Sequence, residues 1–292
     1  MSNKISIRLY KDREVRAVWD EDASAWLFGA ADVVGAINEQ DDHEKNRNYW
    51  KYLKAKLNAK GQPVSITNRL RLTARDGKKR FADCIDSAGV CELAKHFPNN
   101  RGAEFLDWFL YSENSIDGQS KKKAYTLFES GILDTLCPGT VRSLRQIHAY
   151  IFGGIYDFAG KIRTKNISKG NFHFAARQYL DSILKDIEDM PQSTFEEITD
   201  KYIEMNVAHP FMEGNGRAMR IWLDIMLKTS VKSCIDWSKI DKNDYLAAMR
   251  KSPYDGKAIK SLLRGALTDN IYDREMFIKG IDYSYYYEEE NA

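Results

Sequence analysis

The sequence lacks several features that mark membrane, secreted or metal-binding proteins. No apolar run approaches the roughly 20 residues that cross a bilayer, and the polar N-terminus does not resemble a signal peptide. The five histidines are scattered, with neither an HExxH motif nor a His/Cys cluster, which argues against a dedicated zinc site. The four cysteines form no CxxC pair and no disulfide framework; they are Cys84, Cys91, Cys137 and Cys234. We therefore expect a cytoplasmic protein with reduced thiols.

An excess of charge of either sign is also missing, because the formal net charge is only +2. The field of the whole molecule therefore does not favour nucleic acid, and any basic surface must be local. What is present is the composition of a globular protein, with 43% hydrophobic and 29% charged residues over 292 positions. This is enough apolar material for a sizeable core, in one large domain or two ordinary ones.

Residue patterning divides the chain into two parts. In the first part, alternating segments predict strands at 5–10, 15–19, 64–72 and 79–81. Helical spacing predicts helices at 32–37 (capped by Asp32), 48–60, 87–96 and 103–110. The polar segment 112–123 predicts a linker. Helical patterns dominate after it, so we predict a mainly α chain, with a small α+β domain over 1–113 and an all-helical domain over 114–292.

Residues 209–220, HPFMEGNGRAMR, stand out in the second part. Ser193, followed three residues later by Glu196, predicts a capping box that starts the helix leading to His209. The glycines around Asn215 predict a tight turn, because each costs about 1 kcal/mol inside a helix. The apolar residues after Arg217 predict a new helix that is buried.

A glycine-flanked turn at the start of a buried helix is suited to binding phosphates. Its N–H groups can form an anion nest at the positive end of the helix dipole. Arg217 and Arg220 lie on the same side of the helix start and point to a ligand with several phosphates. Glu213 can hold magnesium together with phosphate oxygens, and His209 can accept a proton at neutral pH. Each feature alone is more often structural, but together they indicate a polyphosphate site.

The order of these residues resembles the core motif of the Fic family, HxFx(D/E)GNGRxxR, with every fixed position filled. The resemblance implies an all-helical domain that transfers AMP from ATP to a Ser, Thr or Tyr hydroxyl of a protein. It implies that His209 is the general base, that Phe211 anchors the loop and that Glu213 binds Mg²⁺. It further implies roles at the phosphates, with an anion hole (including the Asn215 side chain) and two arginines at the β- and γ-phosphates: Gly214, Asn215, Gly216, Arg217 and Arg220.

Segment 158–174 is similar to the Fic flap, a β-hairpin that pairs with an extended target. The flap residues expected are Lys165, Ile167, Lys169, Gly170, Phe172 and Phe174. An ordinary surface hairpin is the alternative. A further helix around 243–249 also resembles the family, and its Tyr245 and Met249 lie either near the nucleotide or in the core.

The C-terminus is similar to the family's inhibitory helix, whose pattern is (S/T)xxxE(G/N). Ser284 and Glu288 fit this pattern within a helix expected at about 278–291, whereas Glu289 departs from it. The resemblance implies that Glu288 pairs with Arg220 and blocks the γ-phosphate. An acidic, frayed tail is the alternative.

The first part of the chain contains the segments VRAVWDED (15–22), AADVV (30–34) and YWKYLK (49–54), followed by a basic hairpin. In these features residues 4 to about 110 resemble the Bro-N domain of phage antirepressors. A hairpin and a neighbouring helix collect positive charge, which suits phosphate contacts; the residues are Arg69, Arg71, Arg75, Lys78, Lys79, Arg80, Lys51, Lys54 and Lys56. Nucleic-acid binding, docking of a target protein and a purely structural role all stay open.

Three functions therefore compete. The first is a protein adenylyltransferase that uses ATP and Mg²⁺ and is inhibited by its own C-terminus. The second is a Fic-type transferase with another nucleotide or phospho donor. The third is a nucleic-acid-binding regulator with an inactive Fic domain. The target protein stays unknown, and an oligomer is possible.

Overall fold

A computed structural model describes residues 5–20, 25–59, 64, 68–73, 78–98, 100–169 and 172–288. The chain packs as two compact units, Met1–Ser115 and Ile116–Ala292. Within these described ranges, no helix is both long and apolar enough to cross a membrane.

The first unit is built on a five-stranded antiparallel sheet of order β1-β2-β3-β5-β4. The strands are β1 (Ile5–Tyr10), β2 (Arg13–Asp20), β3 (Ala25–Gly29), β4 (Asn68–Thr73) and β5 (Lys79–Ile85). The helices are α1 (Ala30–Asn38), α2 (His43–Ala59), α3 (Ser87–Ala94) and α4 (Arg101–Asn114). Their apolar faces form one core, in which Val33, Trp50 and Phe105 are buried.

Asp32 does not cap α1 as we predicted. The helix begins two residues earlier, at Ala30, and Asp32 lies in its first turn. Its buried carboxylate instead accepts two hydrogen bonds from the Arg16 guanidinium, at 2.8 and 2.7 Å. A buried carboxylate needs such a partner, and a strand distant in sequence supplies it.

The linker predicted at 112–123 contains the boundary between the two units, after Ser115, but its residues are helical rather than irregular, because α4 runs to Asn114 and a further helix begins at Ile116. This helix, α5 (Ile116–Glu129), buries mostly small residues, among them Gly118, Ser120 and Ala124. The lack of large apolar side chains suggested a linker, but small side chains equally allow close packing against a neighbouring helix.

The second unit is helical, and the prediction of a mainly α chain is confirmed. Its helices after α5 are α6 (Val141–Phe152), α7 (Arg177–Asp189), α8 (Phe195–Ala208), α9 (Asn215–Val231), α10 (Lys242–Lys251), α11 (Lys257–Gly265) and α12 (Arg274–Tyr286). Two short strand pairs accompany them, β6 (Ser168–Lys169) with β7 (Phe172–His173) and β8 (Cys234–Ile235) with β9 (Leu267–Thr268). Helix α9 is buried over most of its length and packs against α6, α8 and α12.

The capping box of α8 is present but lies one residue later than predicted. Thr194 accepts from the N–H of Glu197, whose carboxylate accepts from the N–H of Thr194. Ser193 with Glu196 fits the motif equally well, so the motif does not determine the register. In the observed register, Phe195 is the first helical residue and its side chain is buried.

Candidate active site

The site lies where α8 ends and α9 begins. His209 follows the last residue of α8 and adopts the left-handed conformation, with φ 47° and ψ 66°. This conformation is uncommon for a residue with a Cβ atom. The half-buried ring stacks on Phe174 of the flap segment, with the ring centroids 3.7 Å apart. The turn thus directs the imidazole toward the flap.

The protonation of His209 follows from its surroundings. Its Nδ1 lies 3.2 Å from the carbonyl oxygen of Asn206. A carbonyl only accepts, so in the neutral ring Nδ1 carries the proton and Nε2 has a free lone pair. Burial lowers the pKa of His209 to about 4, which keeps the ring neutral at pH 7.

The loop between α8 and α9 is stabilised by contacts among its own buried residues. Phe211 is completely buried, and its backbone N–H and C=O both bond to the Asn215 side-chain amide, at 2.9 and 2.8 Å. Asn215 therefore fixes the loop by a two-point contact. Its expected contact with the α-phosphate stays a prediction.

His148 on α6 supports the same loop, a role that sequence reasoning missed. Its buried ring stacks on Phe211 at 3.8 Å. Its Nδ1 accepts from the N–H of Gly160, so its Nε2–H donates to the carbonyl of Glu213 at 2.9 Å. Burial lowers the pKa of His148 to about 4, in keeping with a neutral ring. The available sequence signal was a histidine on the apolar face of a helix, which does not reveal its partner.

Two glycines allow other side chains to approach the start of α9 closely. Gly214 has φ +79°, and a Cβ atom there would lie 2.3 Å from the ring of Phe152. A Cβ atom on Gly216 would lie 2.2 Å from Oε1 of Glu288. The first N–H groups of a helix have no acceptor within it and suit an anion, and the Glu288 carboxylate lies beside this first turn of α9.

Both arginines of the motif are paired with carboxylates. Arg217 is buried and contacts Asp117 of α5, and it also donates to Glu213 at 3.1 Å. Its guanidinium lies over the ring of Tyr285. Burial by itself would lower the pKa of Arg217, but the negative charges around it, of Asp117 first and of Glu288 and Glu213 with it, together outweigh burial, and the pKa is raised.

Arg220 is enclosed by the C-terminal segment, residues 274–288, which consists of α12 and the turn after it. It donates to the hydroxyl and the carbonyl of Ser284, both at 2.6 Å, and to Glu288 at 2.5 Å. Three aromatic rings face the guanidinium, those of Trp237, Tyr245 and Tyr287. Burial by itself would lower the pKa of Arg220, but the charge and hydrogen bond of Glu288, together with the neighbouring Tyr245 and Tyr202, outweigh burial, and the pKa is raised.

The C-terminal helix predicted at about 278–291 lies earlier in the chain than expected, because it begins at Arg274. Helix α12 ends at Tyr286, and Glu288 lies in the turn that follows, with its N–H bonded to the carbonyl of Tyr285. Glu289 and the residues after it lie outside the described part. The expected contact of Glu288 with Arg220 is present, and it is made from a turn rather than from a helix face.

The remaining predicted residues divide between the flap and the core. Lys165 and Lys169 are exposed, whereas Ile167, Phe172 and Phe174 are half-buried. Gly170 lies outside the described residues. The hairpin is short, pairing Ser168–Lys169 with Phe172–His173.

Tyr245 and Met249 are both buried. The hydroxyl of Tyr245 lies 2.6 Å from that of Tyr202 and accepts from Arg220 at 3.5 Å. Tyr245 is thus part of the wall around Arg220.

The part of the chain that holds the turn between α8 and α9 is similar to a known family of domains. Residues 138–227 match the model of the Fic/DOC family. The chain is 30% identical over 147 residues to protein adenylyltransferase VbhT of Bartonella schoenbuchensis, covering 46% of this chain and 30% of that protein. It is 30% identical over 110 residues to a probable protein adenylyltransferase Fic of Escherichia coli K12, covering 34% and 54%. The chain thus contains a Fic/DOC domain with homology to protein adenylyltransferases, and spans about half or less of these two relatives.

Solved structures with partial likeness include BepC of Bartonella tribocorum with bound AMPPNP. That pair has a TM-score of 0.44 and 18% identity, over 53% of this chain and 87% of the other. Fic-1 of C. elegans gives a TM-score of 0.44 and 14% identity, over 85% and 81%. Both likenesses are distant in sequence.

Proposed function

We propose that this chain transfers AMP from ATP to a Ser, Thr or Tyr hydroxyl of another protein. One observation carries the proposal. A neutral histidine, a glycine turn and two buried arginines meet at the start of α9, and the Glu288 carboxylate lies beside the turn and pairs with Arg220. The homology to protein adenylyltransferases supports this reading.

In the proposed reaction, the ATP phosphates bind at the glycine turn, with Arg217 and Arg220 at the β- and γ-phosphates. His209 Nε2 takes the proton of the target hydroxyl. The hydroxyl oxygen bonds to the α-phosphorus while the bond from that phosphorus to the α–β bridging oxygen breaks. Pyrophosphate leaves, and AMP stays on the target. The domain contributes mainly positioning and charge neutralisation.

The residues fit magnesium only if the nucleotide supplies further ligands. Among the described residues, no group of three or more His, Cys, Asp or Glu side chains could hold a metal. Glu213 is 58% exposed, and its carboxylate accepts from the N–H of Gly214 at the glycine turn. One carboxylate with phosphate oxygens is a usual magnesium site. We propose that Glu213 holds Mg²⁺, which neutralises phosphate charge when bound.

We further propose that the C-terminal segment inhibits the domain. Glu288 occupies two features that phosphates would use, the open face of Gly216 and the guanidinium of Arg220. Ser284 takes two further donors of Arg220. For ATP to place its γ-phosphate at Arg220, Glu288 has to move away.

The test is labelling with [α-³²P]ATP and, in parallel, [γ-³²P]ATP, using purified protein, magnesium and a cell lysate. The proposal expects protein-bound label from the α-phosphate alone, and none with His209→Ala. Label from the γ-phosphate would make the protein a kinase and overturn the proposal. Adding excess unlabelled UTP or GTP to parallel reactions tests whether another nucleotide is the preferred donor.

A second candidate function concerns the first unit and is nucleic-acid binding. It is favoured by one exposed face of β4 and β5, on which Arg69, Arg71 and Lys79 share the surface with Phe81. Arg71 lies over the ring of Phe81, which is 60% exposed, and bases stack on such surfaces. Binding of the full chain to a fluorescent oligonucleotide should weaken with salt and with Arg71→Glu. Salt-independent binding, or none, would leave AMP transfer as the only candidate.

A further inference from the structure

Arg163 is a buried cation whose partners are all backbone carbonyls. It is only 1% exposed. Its Nε donates to the carbonyl of His209 at 2.8 Å, and its Nη1 to that of Lys165 at 2.6 Å. Its Nη2 donates to the carbonyls of Ala175 and Ala208. One side chain thus binds four carbonyl oxygens.

Burying such a charge needs compensation, and here no carboxylate provides it. No described residue forms an ion pair with Arg163, and burial together with the charge of Arg177 lowers its pKa. The carbonyls of Ala208, the last residue of α8, and of His209, which follows it, lie at the negative end of the helix dipole. A cation is stabilised at that end, and charge-assisted bonds are the stronger ones.

The four carbonyls belong to two elements that the reaction must hold together. Lys165 and Ala175 flank the paired strands of the flap hairpin, Ser168–Lys169 and Phe172–His173. Ala208 is the last residue of α8, and His209 follows it. Two backbone bonds join the same elements, from the N–H of Arg163 to the carbonyl of Pro210 and from Ala175 to Val207. The left-handed turn at His209 is therefore fixed directly against the base of the flap.

We propose that Arg163 is a positioning residue, which sets the distance between a target held by the flap and the base His209. This rests on the proposed function, since it assumes that the target hydroxyl is presented there. Arg163 contacts neither nucleotide nor target. It acts through the backbone of the residues that do.

The test compares variants in the Glu288→Gly background. Arg163→Gln removes the fork of donors, and Arg163→Lys keeps the buried charge but cannot reach four carbonyls. Lys201→Gln is the matched control, because Lys201 is also buried and caps α7 through the carbonyls of Glu188 and Met190, away from His209. The measurements are initial AMP labelling of lysate proteins, the ATP dissociation constant, and amide hydrogen exchange.

Both Arg163 variants should lower AMP labelling by about 100-fold, the effect of misplacing reacting groups by about 1 Å. The ATP dissociation constant should not change, and exchange should speed up in 164–175 and 206–211 together. Lys201→Gln should lower the melting temperature without lowering labelling below that temperature. Unchanged labelling with Arg163→Lys, or an equal loss with Lys201→Gln, would overturn the proposal.

Failure of the proposed function is distinguishable. If the Glu288→Gly parent itself labels no protein, AMP transfer is refuted, and the exchange experiment still tests the role of Arg163. Faster exchange in both segments then supports the coupling of flap and His209. Unchanged exchange in either segment refutes it.

Discussion

Replacing Glu288 tests the proposed inhibition by changing only the carboxylate that pairs with Arg220. Glu288→Gly removes the carboxylate that lies against Gly216 and that pairs with Arg220 at 2.5 Å. Glu288→Gln keeps nearly the same volume and removes only the charge. Neither substitution changes Ser284, so we expect Arg220 to keep its two bonds to that residue in both variants. Comparing the two variants therefore separates the effect of the Glu288 charge from the effect of α12 lying beside Arg220.

The magnitude follows from the burial of the pair. The Arg220 side chain is 2% exposed and that of Glu288 is 20% exposed, so solvent screens the pair little. Removing one partner of such a pair costs about 3 kcal/mol or more, and about 2.7 kcal/mol holds 99% of molecules closed. We therefore expect Glu288→Gly to raise AMP labelling by up to about 100-fold. Glu288→Gln should give about tenfold, because its amide oxygen can still accept from the Arg220 cation, a bond of about 1.5 kcal/mol, whereas the attraction between opposite charges is lost.

The assay is the initial rate of [α-³²P]ATP labelling in a lysate, at fixed protein and magnesium. Glu204→Gln is the matched control, since Glu204 is an exposed glutamate of α8. His209→Ala sets the background. Equal labelling by wild type and Glu288→Gly, both above that background, would refute inhibition by the C-terminal segment.

Three further predictions concern the same site. Asp117→Asn, made in the Glu288→Gly protein, removes the carboxylate that pairs with Arg217 and should tighten ATP binding by up to about fivefold. The effect is small because Asp117 is 46% exposed and the pair is partly screened. Calorimetry that shows weaker binding would contradict this prediction. The rate at pH 5.5 should stay close to that at pH 7.5, because the base His209 loses its function only as pH falls through its lowered pKa of about 4; an ordinary histidine would lose about tenfold by pH 5.5. Chelation of magnesium by EDTA should abolish labelling, and Glu213→Gln should raise the magnesium concentration needed for half-maximal rate; labelling that persists in EDTA would exclude a magnesium requirement.

Local sequence patterns predicted much of the fold. The strand at Ile5–Tyr10 matches its predicted bounds, and the prediction that α9 is buried is confirmed. Errors arose where two local interpretations were equally good. The capping box of α8 fits two registers, and the small residues of α5 suit a linker as well as a closely packed helix.

The sequence by itself determined which functional groups residues 209–220 bring to the site, because a turn between two helices places residues that are neighbours in sequence close together. It also indicated that Glu288 would meet Arg220, through a family pattern rather than through physics. Tertiary structure decided the other partners. Asp117 is 100 residues from Arg217, and Arg163 is 46 residues from His209. Buried charges require a partner, but local propensity does not say which; only the packing of α5, α8 and the flap brings one within reach.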